Sequence, residues 1–173
     1  MKSITISLIL FVSVLFAQDI FAQRSIKDDD YKFQITLPSE WSVTKTEETD
    51  KKDAISYAIE KSDGKNSIML LAFRVGNVKN LDDFIYTLEK DITLNIPERY
   101  SGYTDFDHGS YDGRWAVYKD SEFVETIYYY RTKNSDSEEN YTYMLRFITA
   151  GSFHNSDVEK EIQDIAKTFT PTL

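Results

Sequence analysis

Alternation of apolar and polar residues is the dominant pattern along this chain, and it predicts a β-rich protein. From Tyr31 to Leu37 every second residue is apolar, which is typical of a strand with one buried face. Pro38 then ends the strand because it lacks a backbone donor. The same alternation predicts further strands at Trp41–Thr44, Asp53–Lys61, Tyr103–Tyr111, Arg114–Lys119 and Phe123–Arg131.

Two further segments are apolar at consecutive positions, so both of their faces are expected to be covered. These are Ser67–Val75 and Tyr141–Thr149. A strand buried on both sides needs packing partners on both sides. We therefore expect these two strands at the centre of the sheet.

Helical spacing of apolar residues appears twice. Asn80 is a suitable N-cap for a helix over Asn80–Ile96, which Pro97 would end. Its apolar stripe comprises Leu81, Phe84, Ile85, Leu88, Ile92 and Ile96. A second helix follows the capping-box pattern at Ser156–Glu159. It is predicted to bury Val158, Ile162, Ile165, Ala166 and Phe169.

The remaining segments are predicted as turns and loops. Asp112-Gly113 is typical of a tight hairpin turn, and Gly64 can adopt the positive φ that its turn requires. Residues 23–30 are polar and expected to be a flexible lead-in. Charged and polar loops are expected at Glu47–Asp53 and Thr132–Asn140.

The first 22 residues have the layout of a secretory signal peptide. Met1-Lys2 provides a positive start, and thirteen largely apolar residues follow from Ile4 to Phe16. That run is too short to cross a bilayer, which takes about 20 residues. Ala17 and Ala22 both offer a small residue for cleavage, and cleavage after Ala22 is preferred. Because the chain has no cysteine, it cannot carry the lipid of a bacterial lipoprotein. We therefore expect a soluble periplasmic or extracellular product.

Composition narrows the class of partner. The chain carries 20 Lys and Arg against 29 Asp and Glu, a net charge of −9. Nucleic-acid binding is not expected, since it normally needs a basic surface. No second apolar run is long enough for a permanent membrane anchor. A protein or envelope component is the expected partner, and residues 31–170 are expected to form one domain.

Candidate metal sites are weak. Asp105, Asp107, Gly109 and Asp112 resemble part of a calcium-binding loop, but its twelfth position, where glutamate is required, holds Ala116. A solvated hairpin explains the acidic residues without a metal. The two histidines, His108 and His154, are far apart in a chain without cysteine, so a zinc site is not expected.

Catalytic motifs are also lacking in the sequence. No G-x-S-x-G or glycine-rich nucleotide motif occurs, and Gly151-Ser152 beside His154 is predicted to be a loop. The acidic pairs are expected to be solvated charge; they are Glu47/Glu48, Asp82/Asp83 and Glu138/Glu139. We therefore predict no catalytic or metal-binding residue and no cofactor, and assign no cofactor-binding residue.

Aromatic residues are unusually abundant, with 12 Tyr, 11 Phe and 2 Trp. In the run Tyr128-Tyr129-Tyr130 the outer two share a face of a strand and Tyr129 faces away. Core and cross-strand packing is the ordinary explanation. The alternative is an aromatic binding face, because tyrosine combines an apolar ring with a polar tip.

Several segments resemble PsbP-like domains of the MOG/PsbP fold. The opening FQITLPSEW is similar to the start of these domains. Three further features fit the family: the helix after the apolar strand, the DGRWAVYK return, and the terminal amphipathic helix ending at Phe169. The resemblance covers Tyr31 to Phe169. It implies an antiparallel sheet with helices on both faces, and accessory or adaptor proteins that bind a photosystem or a small GTPase.

These observations together predict an α+β protein, a three-layer α/β/α sandwich with an antiparallel sheet in the middle. The expected function is that of an exported, soluble, non-enzymatic accessory or binding protein. Two alternatives stay open. One is a small-ligand-binding module that uses aromatic residues of the sheet, indicated by a deep apolar cavity with a few polar groups. The other is a divergent hydrolase.

Overall fold

The computed structural model describes residues 23–75, 80–133 and 140–172. The predicted signal peptide and the acidic pair Glu138/Glu139 lie outside these residues. The described residues form an α+β fold that is mostly antiparallel sheet with two helices. The helices are α1 (Leu81–Lys90) and α2 (Ser156–Thr168). The strands are β1 (Arg24–Asp28), β2 (Phe33–Leu37), β3 (Trp41–Glu48), β4 (Ala54–Lys61), β5 (Asn66–Val75), β6 (Thr104–Asp107), β7 (Tyr111–Lys119), β8 (Phe123–Thr132), β9 (Asn140–Ala150) and β10 (Thr170–Pro171).

Seven strands form the large sheet in the order β3-β4-β5-β9-β8-β7-β6, and each neighbouring pair is antiparallel. The two strands predicted to be central, β5 and β9, pair along ten residues in the middle of this sheet. Their predicted position is therefore confirmed.

A second sheet of three strands was not expected. Strand β2 pairs with β1 on one side and with the two-residue β10 on the other. The expectation of a flexible lead-in at residues 23–30 is therefore wrong. All five residues of β1, Arg24–Asp28, pair with residues of β2. Only Ile26 in that segment is apolar and packed against the core, so the alternation was too polar to indicate a strand.

The two faces of the large sheet carry separate hydrophobic clusters. On β8, Tyr128 and Tyr130 belong to the cluster that includes α2 and β2, whereas Ile127 and Tyr129 belong to the cluster that includes α1. This alternation follows from the two-residue period of a strand, and it confirms the predicted orientation of the three tyrosines. All three are buried, with exposures of 8%, 0% and 3%.

Helix α1 is shorter than predicted. Asn80 caps it as expected, because its side-chain oxygen accepts a bond from the Asp83 N–H at 2.8 Å. The helix ends at Lys90, however, and Ile92 is 91% exposed. Asp91 adopts an extended backbone, and its carboxylate accepts bonds from the Thr93 N–H and hydroxyl at 2.8 and 2.6 Å. Bonds of this kind between a side chain and the nearby backbone compete with the hydrogen bonds of a helix. They explain why α1 ends at Lys90 although the helical spacing of apolar residues continues to Ile96.

A buried ion pair holds the segment that follows α1 against the sheet. Arg146 on β9 bonds to both carboxylate oxygens of Glu125 on β8, at 2.7 and 2.6 Å. Arg146 also donates to the backbone carbonyls of Leu94 and Asn95, at 2.6 and 3.4 Å. The side chains of the pair are only 7% and 3% exposed. Burial raises the pKa of Glu125, and Arg146 opposes that shift.

One face of β5 is covered less fully than predicted. Ile68, Leu70 and Ala72 are buried against the α2 side, with exposures of 0–1%. On the α1 side, Leu71 and its neighbours on the same face are only half-buried. The expectation of full burial on both faces is therefore wrong for β5, because the buried side chains of α1 pack with residues of β7, β8 and β9.

Helix α2 begins as predicted, with a different cap. Asn155 rather than Ser156 is the N-cap, since its side-chain oxygen accepts from the N–H groups of Asp157 and Val158 at 3.0 and 3.1 Å. The helix buries Ile162, Ile165 and Ala166. Phe169, directly after the helix, is 1% exposed.

The hairpin that joins β6 and β7 turns earlier than predicted. Asp112 and Gly113 lie inside β7, where Asp112 pairs with Asp107 and Gly113 pairs with Phe106. The turn is made at residues 108–110, and Gly109 supplies the positive φ of 76°. Gly113 has another role, because a Cβ there would lie 2.3 Å from Cζ of Phe106 and 2.4 Å from the Tyr129 carbonyl oxygen.

Gly113→Ala is therefore expected to destabilise the protein. The added methyl must displace the Phe106 ring and the backbone of β8, and overpacking of this kind costs about 1–3 kcal/mol. Urea denaturation measures the change in the free energy of unfolding. Gly102→Ala is the matched control, because a Cβ there meets nothing within 4 Å, and it should change stability by less than about 0.5 kcal/mol. Equal stability for the two variants would contradict the close approach at Gly113.

Candidate ligand-binding groove

A groove of about 420 Å³ lies between α2 and the strands β6, β7 and β8. It is open to solvent, and its volume is in the range of small-molecule sites. Aromatic side chains supply most of its lining: Phe106, Tyr111, Trp115, Tyr128, Tyr130 and Phe169. The antiparallel register explains why they meet, since Trp115 pairs with Tyr128 and Gly113 pairs with both Phe106 and Tyr130.

The floor of the groove is a row of nearly parallel rings. Trp115 stacks beside Tyr128 at 5.7 Å between centroids with planes 25° apart. Tyr128 lies beside Tyr130 at 6.4 Å and 20°. The two tyrosines are buried at 8% and 3% exposure, whereas Trp115 is half-buried and reaches the solvent-accessible part of the groove.

Two further rings pack around Tyr130 at one end of this floor. Phe106 meets Tyr130 edge-on at 5.3 Å, a contact that the missing side chain of Gly113 permits. Phe169, from the residue after α2, approaches Tyr130 to 4.5 Å. The Tyr130 hydroxyl donates to the Ala166 carbonyl on α2 at 3.4 Å. These contacts fix the distance between the helix and the sheet, so the groove is preformed.

Several polar groups in the groove have no protein partner among the described residues. These are the hydroxyls of Tyr111 and Tyr128, the indole N–H of Trp115 and the amide of Gln163. Trp41, by contrast, donates its indole N–H to Glu161 at 2.8 Å. Burial raises the pKa of the Tyr128 hydroxyl to about 12, so it stays protonated and can donate.

The lysine in the lining of the groove is already paired with a carboxylate. Lys167 lines it, but its ammonium is 3.0 Å from the Asp164 carboxylate, which also pairs with Lys160 at 2.6 Å. His108 stands at the exposed end, with its ring 5.0 Å from that of Tyr111. Most of the described groove lining therefore consists of rings and hydrogen-bonding groups without a formal charge, and its lysine is already paired.

A smaller cavity of about 120 Å³ continues the groove along α2 and shares Trp115, Tyr128 and Gln163 with it. His154 lies at its far end, with Nε2 3.7 Å from the Glu159 carboxylate. Ser152 belongs to a short 3-10 helix at Gly151–Phe153 and is exposed. No bond joins Ser152 to His154 in the described part of the chain, so the structure does not assemble these residues into a triad.

The acidic residues considered for calcium are held by cations of the protein itself. Asp105 pairs with Arg114 at 2.9 Å, and Asp107 pairs with Lys133 at 2.5 Å, which lowers the pKa of Asp107. Asp112 forms a two-point bond with Arg131 at 3.1 and 2.6 Å. Within residues 23–75, 80–133 and 140–172, no group of three or more acidic, histidine or cysteine side chains is arranged to hold a metal ion.

Comparison with models of known protein families finds no match, and comparison with curated protein sequences finds none either. Solved structures do match. Cyanobacterial PsbP (CyanoP) from Synechocystis has a TM-score of 0.60 at 11% identity, over 90% of this chain and 95% of that one. The Ran-binding protein Mog1p from Saccharomyces cerevisiae has a TM-score of 0.52 at 10% identity, over 88% and 96%.

LpqN, a Mycobacterium tuberculosis protein involved in cell envelope biogenesis, matches with a TM-score of 0.51 at 10% identity, over 82% of this chain and 83% of that one. The chain spans only 47% of a matching Bacteroides thetaiotaomicron protein, at a TM-score of 0.48 and 13% identity. The chain therefore has a PsbP/Mog1-like fold, as the sequence resemblance predicted. None of the helices in the described ranges combines the length and apolar character that crossing a bilayer requires.

Proposed function

We propose that this chain is an exported, non-enzymatic binding protein that holds a small organic ligand from the cell envelope in the aromatic groove. The observation that carries the proposal is the preformed cavity of about 420 Å³ with ring-lined walls and unpartnered polar groups. Concave, mostly apolar sites with a few convergent polar groups are the usual form of ligand sites. The sequence-based alternative of a ligand-binding module is thus part of this proposal.

Other parts of the proposal have separate support. Export is supported by the apolar segment between Ile4 and Phe16, and a source of the ligand in the envelope by the likeness to LpqN. A non-enzymatic role is supported by the lack of a bonded nucleophile and base among the described groove residues. In this proposal the fold is a three-layer arrangement, with α1 on one face of the large sheet and α2 with the small sheet on the other.

Removal of the signal peptide is tested by N-terminal sequencing of the secreted protein. The sequence should begin at Gln23, and an intact Met1 would contradict removal of the signal peptide.

Native mass spectrometry of the protein, expressed from the full sequence, tests the binding function. After incubation with an aqueous and an organic extract of the envelope, we expect a bound small molecule as a defined mass increase. Trp115→Ala should abolish that increase because it removes the accessible ring of the floor. Tyr86→Ala is the matched control, since Tyr86 is 65% exposed on α1, on the other face of the sheet.

The outcomes separate the proposed groove from other surfaces. A mass increase that Trp115→Ala removes and Tyr86→Ala keeps supports the groove. An increase lost in Tyr86→Ala, or the absence of any increase with both extracts, overturns the proposal. Circular dichroism confirms that each variant is folded before it is compared.

A second candidate function is favoured by exposed side chains near α1. Tyr86 and Tyr100 are 65% and 75% exposed, and Ile92 is 91% exposed. Aromatic residues such as tyrosine are enriched at protein interfaces, and the similar Mog1p is a Ran-binding protein. An accessory role on a protein partner would use this surface, and Tyr86→Ala would then weaken that complex while Trp115→Ala would not.

A further inference from the structure

We infer that the ligand of the groove is an uncharged saccharide; this inference rests on the proposed function and names the class of ligand. A sugar ring has an apolar face of C–H groups and a rim of hydroxyls. It therefore needs a ring to stack on and neutral groups that can both donate and accept hydrogen bonds. The groove offers both kinds of surface within one cavity.

The stacking surface is the ring of Trp115, which continues the row of the buried rings Tyr128 and Tyr130. Their planes differ by only 25° and 20° between neighbours, and the centroids are 5.7 and 6.4 Å apart. The half-buried Trp115 presents the most accessible ring of this row. The smaller cavity shares Trp115 and Tyr128 with the groove and continues along α2, so a ligand longer than one sugar ring can occupy both cavities beside Trp115.

The hydrogen-bonding groups match hydroxyls rather than an acyl chain. The Tyr111 and Tyr128 hydroxyls and the Gln163 amide can each donate and accept, and the Trp115 indole donates. None of these groups has a protein partner within the described part of the chain. A hydrocarbon chain in the groove would cover them without replacing their bonds to water, which is unfavourable. Ligand hydroxyls would satisfy them.

Charge disfavours the anionic members of the class. Among the described residues, Lys167 is the only lysine or arginine that lines the groove, and it already pairs with Asp164, so a carboxylate or phosphate would have to compete with Asp164 for it. The whole chain carries a net charge of −9, which repels anions over a longer range. Neutral oligosaccharides such as hexasaccharides, which can reach both cavities, are therefore preferred as probes over phosphorylated or acidic sugars.

Tryptophan fluorescence gives a direct readout, because the chain has only two tryptophans. Trp41 is 2% exposed and bonded to Glu161, so a ligand-dependent change in emission reports Trp115. We expect at least one of maltohexaose, cellohexaose and N-acetylchitohexaose to change the emission in a saturable way. Trp115→Ala should weaken binding, measured by calorimetry, by about tenfold or more.

Three variants make the test specific. Trp115→Phe should remove the fluorescence change but keep calorimetric binding, because a ring remains. Gln163→Ala, on the exposed side of α2, should weaken binding without affecting folding. Tyr86→Ala should change the dissociation constant by less than about twofold, which is less than the loss of a ligand contact would cause. The reason is that Tyr86 lies on α1, on the other face of the sheet.

The result that overturns the saccharide class is distinct from failure of the proposed function. Binding of 1-dodecanol in the groove, without binding of any hexasaccharide, would show that the site takes an alkyl chain, and the proposed function would stand. An envelope ligand in the mass spectrum that is not a sugar would have the same meaning. Saccharide binding that Trp115→Ala leaves unchanged would overturn the assignment of the groove itself.

Discussion

Arg146→Met is expected to lower the free energy of unfolding by about 3–5 kcal/mol, the usual cost of breaking a buried ion pair by removing one partner. The substitution leaves the Glu125 carboxylate 3% exposed and without its cation. It also removes the bonds that hold the carbonyls of Leu94 and Asn95. Urea denaturation at neutral pH measures the loss.

Acid should reduce this loss. Burial raises the pKa of Glu125 in the folded protein, and without Arg146 nothing opposes that shift. A carboxyl with a raised pKa in the folded state is favoured when protonated, so the penalty is present above the folded pKa and disappears below the unfolded pKa. The difference between Arg146→Met and the parent should therefore shrink as the pH falls. A difference that is independent of pH would contradict an uncompensated carboxylate as its cause.

The double variant Glu125→Leu with Arg146→Met provides the control. Replacing both members of a buried ion pair by apolar residues is often neutral or stabilising. The double variant should therefore be more stable than Arg146→Met alone. Any free energy of unfolding that the double variant still lacks relative to the parent reports the lost hydrogen bonds to the carbonyls of Leu94 and Asn95. A double variant less stable than the single one would show that the pair is not the source of the effect.

Phe169→Ala is expected to cost about 3–5 kcal/mol, the range for removing a fully buried phenylalanine. Its ring joins three elements of the fold. It stacks on Phe33 of the small sheet at 5.8 Å and meets Tyr130 and Tyr143 of the large sheet at 4.5 and 5.1 Å. Thermal and urea unfolding measure the loss.

Phe153→Ala is the comparison for this second prediction, because Phe153 is 41% exposed. Its loss should stay below about 1 kcal/mol. Phe169→Ala should also weaken ligand binding, since Phe169 lines the groove. Equal effects of the two substitutions on stability would mean that Phe169 does not connect the sheets as described.

Most large elements could be predicted from the sequence because burial imposes a period on side chains. The alternation around Tyr128–Tyr130 gave the correct faces, and the doubly apolar β5 and β9 were placed correctly at the centre. Local polar bonding was the main source of error. Asp91 ends α1 before the apolar spacing does, and the turn forms at Gly109 although Asp112-Gly113 looked like the stronger signal.

The groove could be predicted only in part. That Tyr128 and Tyr130 share a face follows from the strand period, but the meeting of Trp115, Phe106 and Phe169 with them depends on pairing between distant strands. The role of Gly113 shows the same limit. Glycine is required at this position because the Phe106 ring occupies the space that a side chain would need. Phe106 belongs to another strand, and the sequence pattern alone does not determine the register of that strand.

The pairing of β2 with both β1 and β10 sets the order in which folding can finish. Pro171 of β10 pairs with Phe33 of β2, so the small sheet is complete only when residues at opposite ends of the described chain have met. Contacts between such distant segments form slowly, because a large loop must close before they contribute. Until then, the edge of β2 that β10 covers stays open to other strands. The small sheet is therefore incomplete until β10 has paired, and the partly folded protein is expected to associate through this edge more readily than the folded one.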